Sequence, residues 1–157
     1  MSEKLNKNAK PAALSGIRVL DLSRYISGPF CGQILGDLGA DVVKVERVDG
    51  GEEGRRVGEM INGETLFFLG ANRNKRSLTV DFRHPEGQAL LKRLAAKADI
   101  LIENFRPGTL EKMGLGYDEI SAVNPGLIVV RITGFGQEGP MASHPCFDGA
   151  AQAHSGL

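Results

Sequence analysis

The sequence predicts an α/β protein built on an open, mostly parallel sheet with crossover helices, and three observations predict it. Five short apolar runs rich in Val and Ile recur: IRVLDL from Ile17, DVVKVER from Asp41, SLTVDF from Ser77, DILIENF from Asp99 and LIVVRITGF from Leu127. Their length and branched content are those of strands. Helical patterns with capping signals lie between them. Strand and helix therefore alternate, which selects parallel strands joined by right-handed crossovers, a Rossmann-like layer with helices on both faces.

The elements follow in order. MSEKLNKNAKPAA, residues 1–13, is polar, has no apolar core for a signal peptide and lacks the arginines of a mitochondrial presequence, so a frayed tail is expected, with residues 14–157 forming one domain. After the first strand, Pro29 to Leu38 repeats apolar residues at Phe30, Ile34 and Leu38; Pro29 suits a first helical position and Gly39 a helix end. Gly32 and Gly36 let another element approach that helix closely. Between Asp49 and Asn74 the connection is too long for an ordinary loop unless it holds a short helix, expected around Leu66 to Leu69, and it reads as a lid or arm. Pro85 opens a helix with Leu90, Leu91, Leu94, Ala95 and Ala98 on one face, and Pro107 with Gly108 introduces another from Thr109. FDGAAQAHSGL then begins a small-residue helical pattern without a closing cap, so the sheet reads as incomplete, with apolar surface that promotes association.

Bulk chemistry narrows the function. Nineteen Lys and Arg balance nineteen Asp and Glu, which removes the long-range positive field that nucleic acid or an anionic membrane would select. Cys31 and Cys146 form neither a metal-ligand spacing nor a disulfide framework, in keeping with a reducing compartment. No apolar run approaches the roughly 20 residues that span a bilayer. A cytoplasmic location without a metal centre is expected.

In an open parallel sheet, ligands bind outside the carboxyl ends of the strands. Ser23, Arg24, Tyr25 and Ile26 follow the first strand, Arg47 the second, Arg83 the third, Asn104, Phe105 and Arg106 the fourth, and Gly134, Phe135 and Gly136 the fifth. With Arg73, Lys75 and Arg76 just before the third strand, they form a local cationic collection able to pair with phosphates. The competing reading for any single arginine is a solvated surface charge. Neither the dinucleotide nor the P-loop glycine spacing follows the first strand. Gly28 and Pro29 instead allow a tight entry into a helix whose free amides face this edge. Cys31, in the first turn, has two readings, a thiolate nucleophile or a small core residue, and the second is preferred. His84, His144 and His154 read as surface or capping residues. Glu103 and Asp148 are carboxylates beside apolar neighbours, where pKa values shift, with a helix N-cap as the plainer role for Asp148.

The ordered segments LSGIRVLDLSRYISGPFCGQILGDLGADVVKVER, ANRNKRSLTVDFRHPEG, ADILIENFRPGTLEKMGLGYDEI, NPGLIVVRITGFGQEGP and FDGAAQAHSGL, from Leu14 to Leu157, resemble the N-terminal portion of the class III CoA-transferases. That group includes formyl-CoA and carnitine CoA-transferases and the related 2-methylacyl-CoA racemases. The resemblance implies coenzyme A or acyl-CoA as substrate, with no permanently bound cofactor, a small carboxylic acid as the other substrate, and a homodimer for the full-length protein. It assigns Arg47, Lys75, Arg76, Asn104, Phe105 and Arg106 to segments lining the CoA site, with Lys112 nearby and Tyr25 and Ile26 close to the thioester. The family's nucleophilic aspartate attacks the acyl-CoA carbonyl to give a mixed anhydride and then an aspartyl-CoA thioester. The resemblance places that aspartate beyond Leu157, so no catalytic residue is expected here, and Asp148 aligns with an acidic position that serves as an accessory acid at most. Family racemases carry a histidine where Phe147 stands, which favours transferase over racemase ancestry. Ile26 occupies a position where some oxalate-handling relatives place glutamine. The alternatives are a non-catalytic CoA-binding fragment or half of a split enzyme, and, further off, an acyl-CoA racemase relative.

Overall fold

The computed structural model describes residues 11–157. Of the expected tail, residues 1–10 lie outside the described residues, while Ala12 already sits in a turn, its carbonyl accepting from Ser15 N at 3.0 Å. All five expected strands form: β1 (Arg18–Asp21), β2 (Asp41–Glu46), β5 (Lys75–Thr79), β6 (Ile100–Glu103) and β7 (Ile128–Arg131). They make one sheet in the order β5-β2-β1-β6-β7, with every pairing parallel. Neighbouring residues on a strand face opposite sides. Thus Leu20 and Leu101 enter the larger core, while Val19 and Ile102 enter the smaller one on the other face. Each fully buried side chain of this kind contributes about 1.5–3 kcal/mol.

The larger core is covered by α3 (Pro85–Ala95), α4 (Thr109–Lys112) and α5 (Tyr117–Val123), which bury Leu91, Leu110 and Ile120. Pro85 takes the first position of α3, and His84 caps it, Nδ1 accepting from Glu86 N at 3.3 Å. The other face carries α1 (Ser27–Asp37). Here the apolar periodicity misleads. Phe30, Ile34 and Leu38 stay 50%, 43% and 46% exposed, while Gly28, Pro29, Gly32 and Gln33 turn inward. The reason is polar: α1 lies across the Asp21 carboxylate and the Lys75 ammonium, and a Cβ on Gly32 would come within 2.9 Å of Asp21 Oδ2 and 3.3 Å of Lys75 Nζ. Only a bare helix face fits there.

The long connection after β2 has structure of its own. A 3-10 turn at Glu53–Arg56 precedes a hairpin of β3 (Met60–Ile61) and β4 (Glu64–Thr65) and then α2 (Leu66–Asn72), where a short helix was expected. At the end of the chain α6 (Asp148–Ser155) buries none of its residues, and Phe147 rather than Asp148 takes its N-cap position. Asp148 is the first residue of the helix. Among the described residues no helix is long and apolar enough to cross a membrane.

Candidate functional site

The chain leaves β1 in one direction through β2 and β5, then returns to β6 and β7 on the other side. The order therefore reverses between β1 and β6, and the loops that follow these two strands diverge around a crevice. Beneath that crevice lies a buried charge network. Lys75 Nζ uses all three protons, donating to Asp21 Oδ2 at 2.8 Å, Pro29 O at 2.7 Å and Asn72 Oδ1 at 2.9 Å. Lys44, equally buried, donates to the Ser23 carbonyl and stands 3.9 Å from Asp21 Oδ1 and 3.7 Å from Glu52 Oε2. Burial pushes the Lys75 ammonium down, and Asp21 opposes that shift. Burial likewise pushes the Glu52 carboxyl up, against Lys44 and the Tyr25 amide.

This network fixes the loop after β1. Ser23 N and Oγ both donate to Asp21 Oδ1. Tyr25 adopts the left-handed φ of 62°, which costs a non-glycine residue about 1 kcal/mol or more, and its amide donates to Glu52 Oε2 at 2.8 Å. From the other side, Asn104 accepts from Arg24 N and donates to Arg24 O, both at 2.7 Å. Glu103 is buried and accepts from Phe105 N at 2.6 Å. Burial pushes its carboxyl up, with the Phe105 amide and Arg131 acting against the shift.

Two clefts open on this floor. One, of about 380 Å³, sits over the ends of β1, β2 and β5 and is lined by Arg24, Arg47, Arg83, Phe82, Phe105 and Met113 among others. The second, of about 510 Å³, sits at the β1–β6 reversal, with Tyr25, Ile26, Asn104, Arg106, Gly134 and Phe147 in its walls. Arg24 and Phe105 line both, and the Arg24 guanidinium lies over the Phe105 ring at 4.8 Å. An end where Arg24, Arg47 and Arg83 stand among the carboxylates of Glu46, Asp49, Glu52 and Asp81, and an end that is mostly uncharged apart from Arg24, Arg106 and Asp148, thus share one partition. Tyr25 meets Phe147 edge-on at 5.8 Å above the second cleft.

The predicted residues divide accordingly. Tyr25, Ile26, Arg47, Asn104, Phe105 and Arg106 gather around the two clefts. Lys75 and Arg76 do not join the arginine edge. They begin β5, and parallel pairing sets the start of β5 beside the start of β2, at the opposite end of the sheet from Arg47. Arg76 there pairs with Asp41, Nε to Oδ1 at 2.9 Å and Nη2 to Oδ2 at 2.6 Å, while the Lys75 side chain is 1% exposed. Arg73 is likewise paired away from the edge, with Asp37. Lys112 ends α4 on the surface and lines neither cleft. Asp148 borders the second cleft and accepts from Gln152 Nε2 at 2.7 Å. Burial pushes the Cys31 thiol up, Asp21 adds to this and Lys75 opposes it, the reverse of what activates a nucleophile.

Residues 14–157 match the model of CoA-transferase family III. The chain belongs to that family. This family III chain is 47% identical over 154 residues to the succinyl-CoA–D-citramalate CoA-transferase of Chloroflexus aurantiacus, covering 98% of itself and 38% of that protein. It is 47% identical to the mouse succinyl-CoA:glutarate CoA-transferase, over 92% of itself and 33% of the mouse enzyme. Among solved structures, it superposes on a CAIB/BAIF family protein from Brucella suis with a TM-score of 0.88 and 44% identity, covering 94% of itself and 40% of that chain. The family III chain therefore spans well under half the length of these relatives.

The sequence marks the stretch after β2 as a lid or arm with a short helix but does not single out two of its carboxylates. Glu52 anchors the Tyr25 turn, and Glu53 stands between Arg24 and Arg47. The signal is the pair of acids in GGEEGRR, a few residues after Arg47, which ends the second strand segment.

Proposed function

We propose that this family III chain supplies the CoA-binding portion of a cytoplasmic enzyme that moves coenzyme A from an acyl-CoA donor to a small carboxylic acid. The observation that carries the reading is the pair of clefts sharing the Arg24–Phe105 partition. Coenzyme A has its diphosphate and 3′-phosphate at one end and its thiol at the other, joined by an extended, largely uncharged arm. Its anionic end suits Arg24, Arg47 and Arg83, whose planar guanidiniums match phosphate geometry. Its thioester suits the cleft bordered by Tyr25, Ile26 and Phe147.

In the proposed reaction a carboxylate oxygen attacks the donor's acyl carbonyl and expels the CoA thiolate, leaving a mixed anhydride. The thiolate then attacks the enzyme's own acyl carbon and releases the donor acid, giving an enzyme–CoA thioester. Attack by the acceptor carboxylate on that thioester forms the second anhydride, and return of the thiolate completes the transfer. No residue among 1–157 is assigned the attacking carboxylate, in keeping with the family resemblance, so these residues alone are expected to bind without turnover. Asp148, at the rim of the second cleft, is proposed as an accessory acid at most. Phe147 beside it carries no exchangeable proton, which favours transfer over racemisation.

The relatives' names support a donor class. Four of those named for D-citramalate, L-malate and glutarate, at 45–51% identity, carry succinyl-CoA in their names. We extend to this chain a short dicarboxylic acyl-CoA and a short dicarboxylic acceptor, with a homodimer as the complete enzyme. Calorimetric titration of the 157-residue chain with free CoA tests the binding step. Saturable binding that is lost in the Arg47→Ala, Arg106→Ala double variant is expected. A folded chain that takes no CoA, or a double variant that binds as tightly as the parent, would refute it.

A further inference from the structure

We propose that Glu53 is a resident counter-anion for the arginine cleft: its carboxylate occupies the position between Arg24 and Arg47 that a ligand phosphate takes, and ligand binding exchanges one anion for the other. This deepens the CoA reading above and rests on it for the identity of the natural ligand.

The geometry is that of a bridge made to be broken. Glu53 Oε1 lies 3.2 Å from Arg24 Nη1 and 3.3 Å from Arg47 Nη1, both longer than the 2.7–2.9 Å of a good charge-assisted hydrogen bond. Its second oxygen is buried and meets no donor among the described residues. A neighbouring pair shows what a permanent bond looks like in the same arm. Arg55 holds Glu46 through two bonds, Nε to Oε2 at 2.7 Å and Nη2 to Oε1 at 2.8 Å, and the Glu46 side chain is 1% exposed. Glu53 offers one oxygen at longer range and is partly open to solvent.

Both arginines are also held without it. Arg24 is stacked on Phe105, and Arg47 Nε donates to the Gly51 carbonyl at 2.9 Å. The remaining acid near Arg47, Asp49 at 3.3 Å, is largely solvated. When Glu53 turns away, the two guanidiniums therefore keep their places, and a phosphate with several terminal oxygens can accept from both at once. The arm need not move, because Glu52 secures its base through Tyr25 N and Lys44. Until then the carboxylate halves the charge of the arginine pair, which discriminates against weak anions: only a ligand that outcompetes a carboxylate enters.

The test is calorimetric titration of the 157-residue chain and its Glu53→Gln variant with inorganic pyrophosphate and, separately, with CoA. Glutamine keeps the shape and a carbonyl acceptor but removes the charge. A unit charge that has turned out into solvent a few ångströms from the bound anion acts through nearly the dielectric of water, which corresponds to about a tenfold change in affinity. Pyrophosphate binding about tenfold tighter in Glu53→Gln supports the exchange. Equal or weaker binding overturns it, since Glu53 would then position the arginines rather than compete for them, and so does the absence of pyrophosphate binding to both proteins. Tighter pyrophosphate binding with no CoA binding by either protein sinks the CoA reading and leaves the anion exchange standing; CoA binding by both proteins with pyrophosphate no tighter in the variant does the opposite. Should Glu53→Gln not fold, the carboxyl ¹³C resonance of Glu53 in the unaltered chain serves instead. It must move on saturation with pyrophosphate, and a stationary resonance overturns the proposal.

Discussion

Replacing Gly32 by alanine tests why α1 presents its glycines to the sheet. In an exposed helix interior the change would stabilise by about 1 kcal/mol, because alanine loses less backbone entropy on folding. Here the new methyl would stand 2.9 Å from Asp21 Oδ2 and 3.4 Å from Asp21 Cγ, with Lys75 Nζ at 3.3 Å. Neither partner has room to retreat: Asp21 is fully buried and is bonded to Ser23 as well as to Lys75. Overpacking of this kind costs about 1–3 kcal/mol, and any stretching of the 2.8 Å Asp21–Lys75 contact adds to it, since a buried pair that loses its geometry keeps its desolvation cost. The balance is a net loss of about 1–2 kcal/mol, or roughly 3–6 °C in Tm for a chain of this size. Urea unfolding of Gly32→Ala beside Gly70→Ala provides the comparison, because a Cβ on Gly70 in α2 meets nothing within 4 Å. Gly70→Ala is expected to gain about 0.5–1 kcal/mol. If Gly32→Ala gains as much, the bare face of α1 has another cause.

Two further outcomes follow from buried polar groups. The Glu103 carboxyl is held above the ordinary range by burial, so its contribution to stability is complete below the unfolded value, about pH 4.3, and is lost as pH rises through the raised folded value. The stability of Glu103→Gln relative to the parent should accordingly increase between pH 4 and pH 8 in thermal melts, and a difference that is flat or falls with pH would contradict this. Thr65 caps α2 by accepting from Phe68 N at 3.1 Å and donates to the Gly54 carbonyl at 3.0 Å. Thr65→Ala is expected to lose about 1–2 kcal/mol in urea unfolding, with Thr65→Ser recovering most of it; a loss that serine does not recover would show that the methyl, not the hydroxyl, matters.

The strands were legible because both faces of the sheet are covered, so each strand is a nearly continuous apolar run, as in VLDL or DILI. Periodicity located α1, while its inward face is the one marked by Gly32 and not by the apolar repeat. It counts apolar side chains, and the inward face of α1 is chosen by the charges beneath it, which come from Asp21 and Lys75, far apart in sequence. The same long-range pairing explains the divided site. Arg47, Asn104 and Arg106 follow strands and so arrive at the carboxyl edge by topology alone. Lys75 and Arg76 begin one, and parallel pairing sets them beside the start of β2, where Asp41 engages Arg76 while the Lys75 side chain reaches back to Asp21 at the end of β1. Glu52 and Glu53 gave only a local acidic signal, because their meaning depends on where the connection after β2 folds back.

Asn104 carries a further consequence. By accepting from Arg24 N and donating to Arg24 O, its amide imitates a backbone peptide and adds one more rung to the ladder between β1 and β6, past the point where the strands themselves have parted. The crevice at the reversal is thereby given a floor. A carboxylate has no proton to donate and an aliphatic side chain has neither group, so the rung requires a primary amide of this length. The groove's depth is in this way written into one side chain.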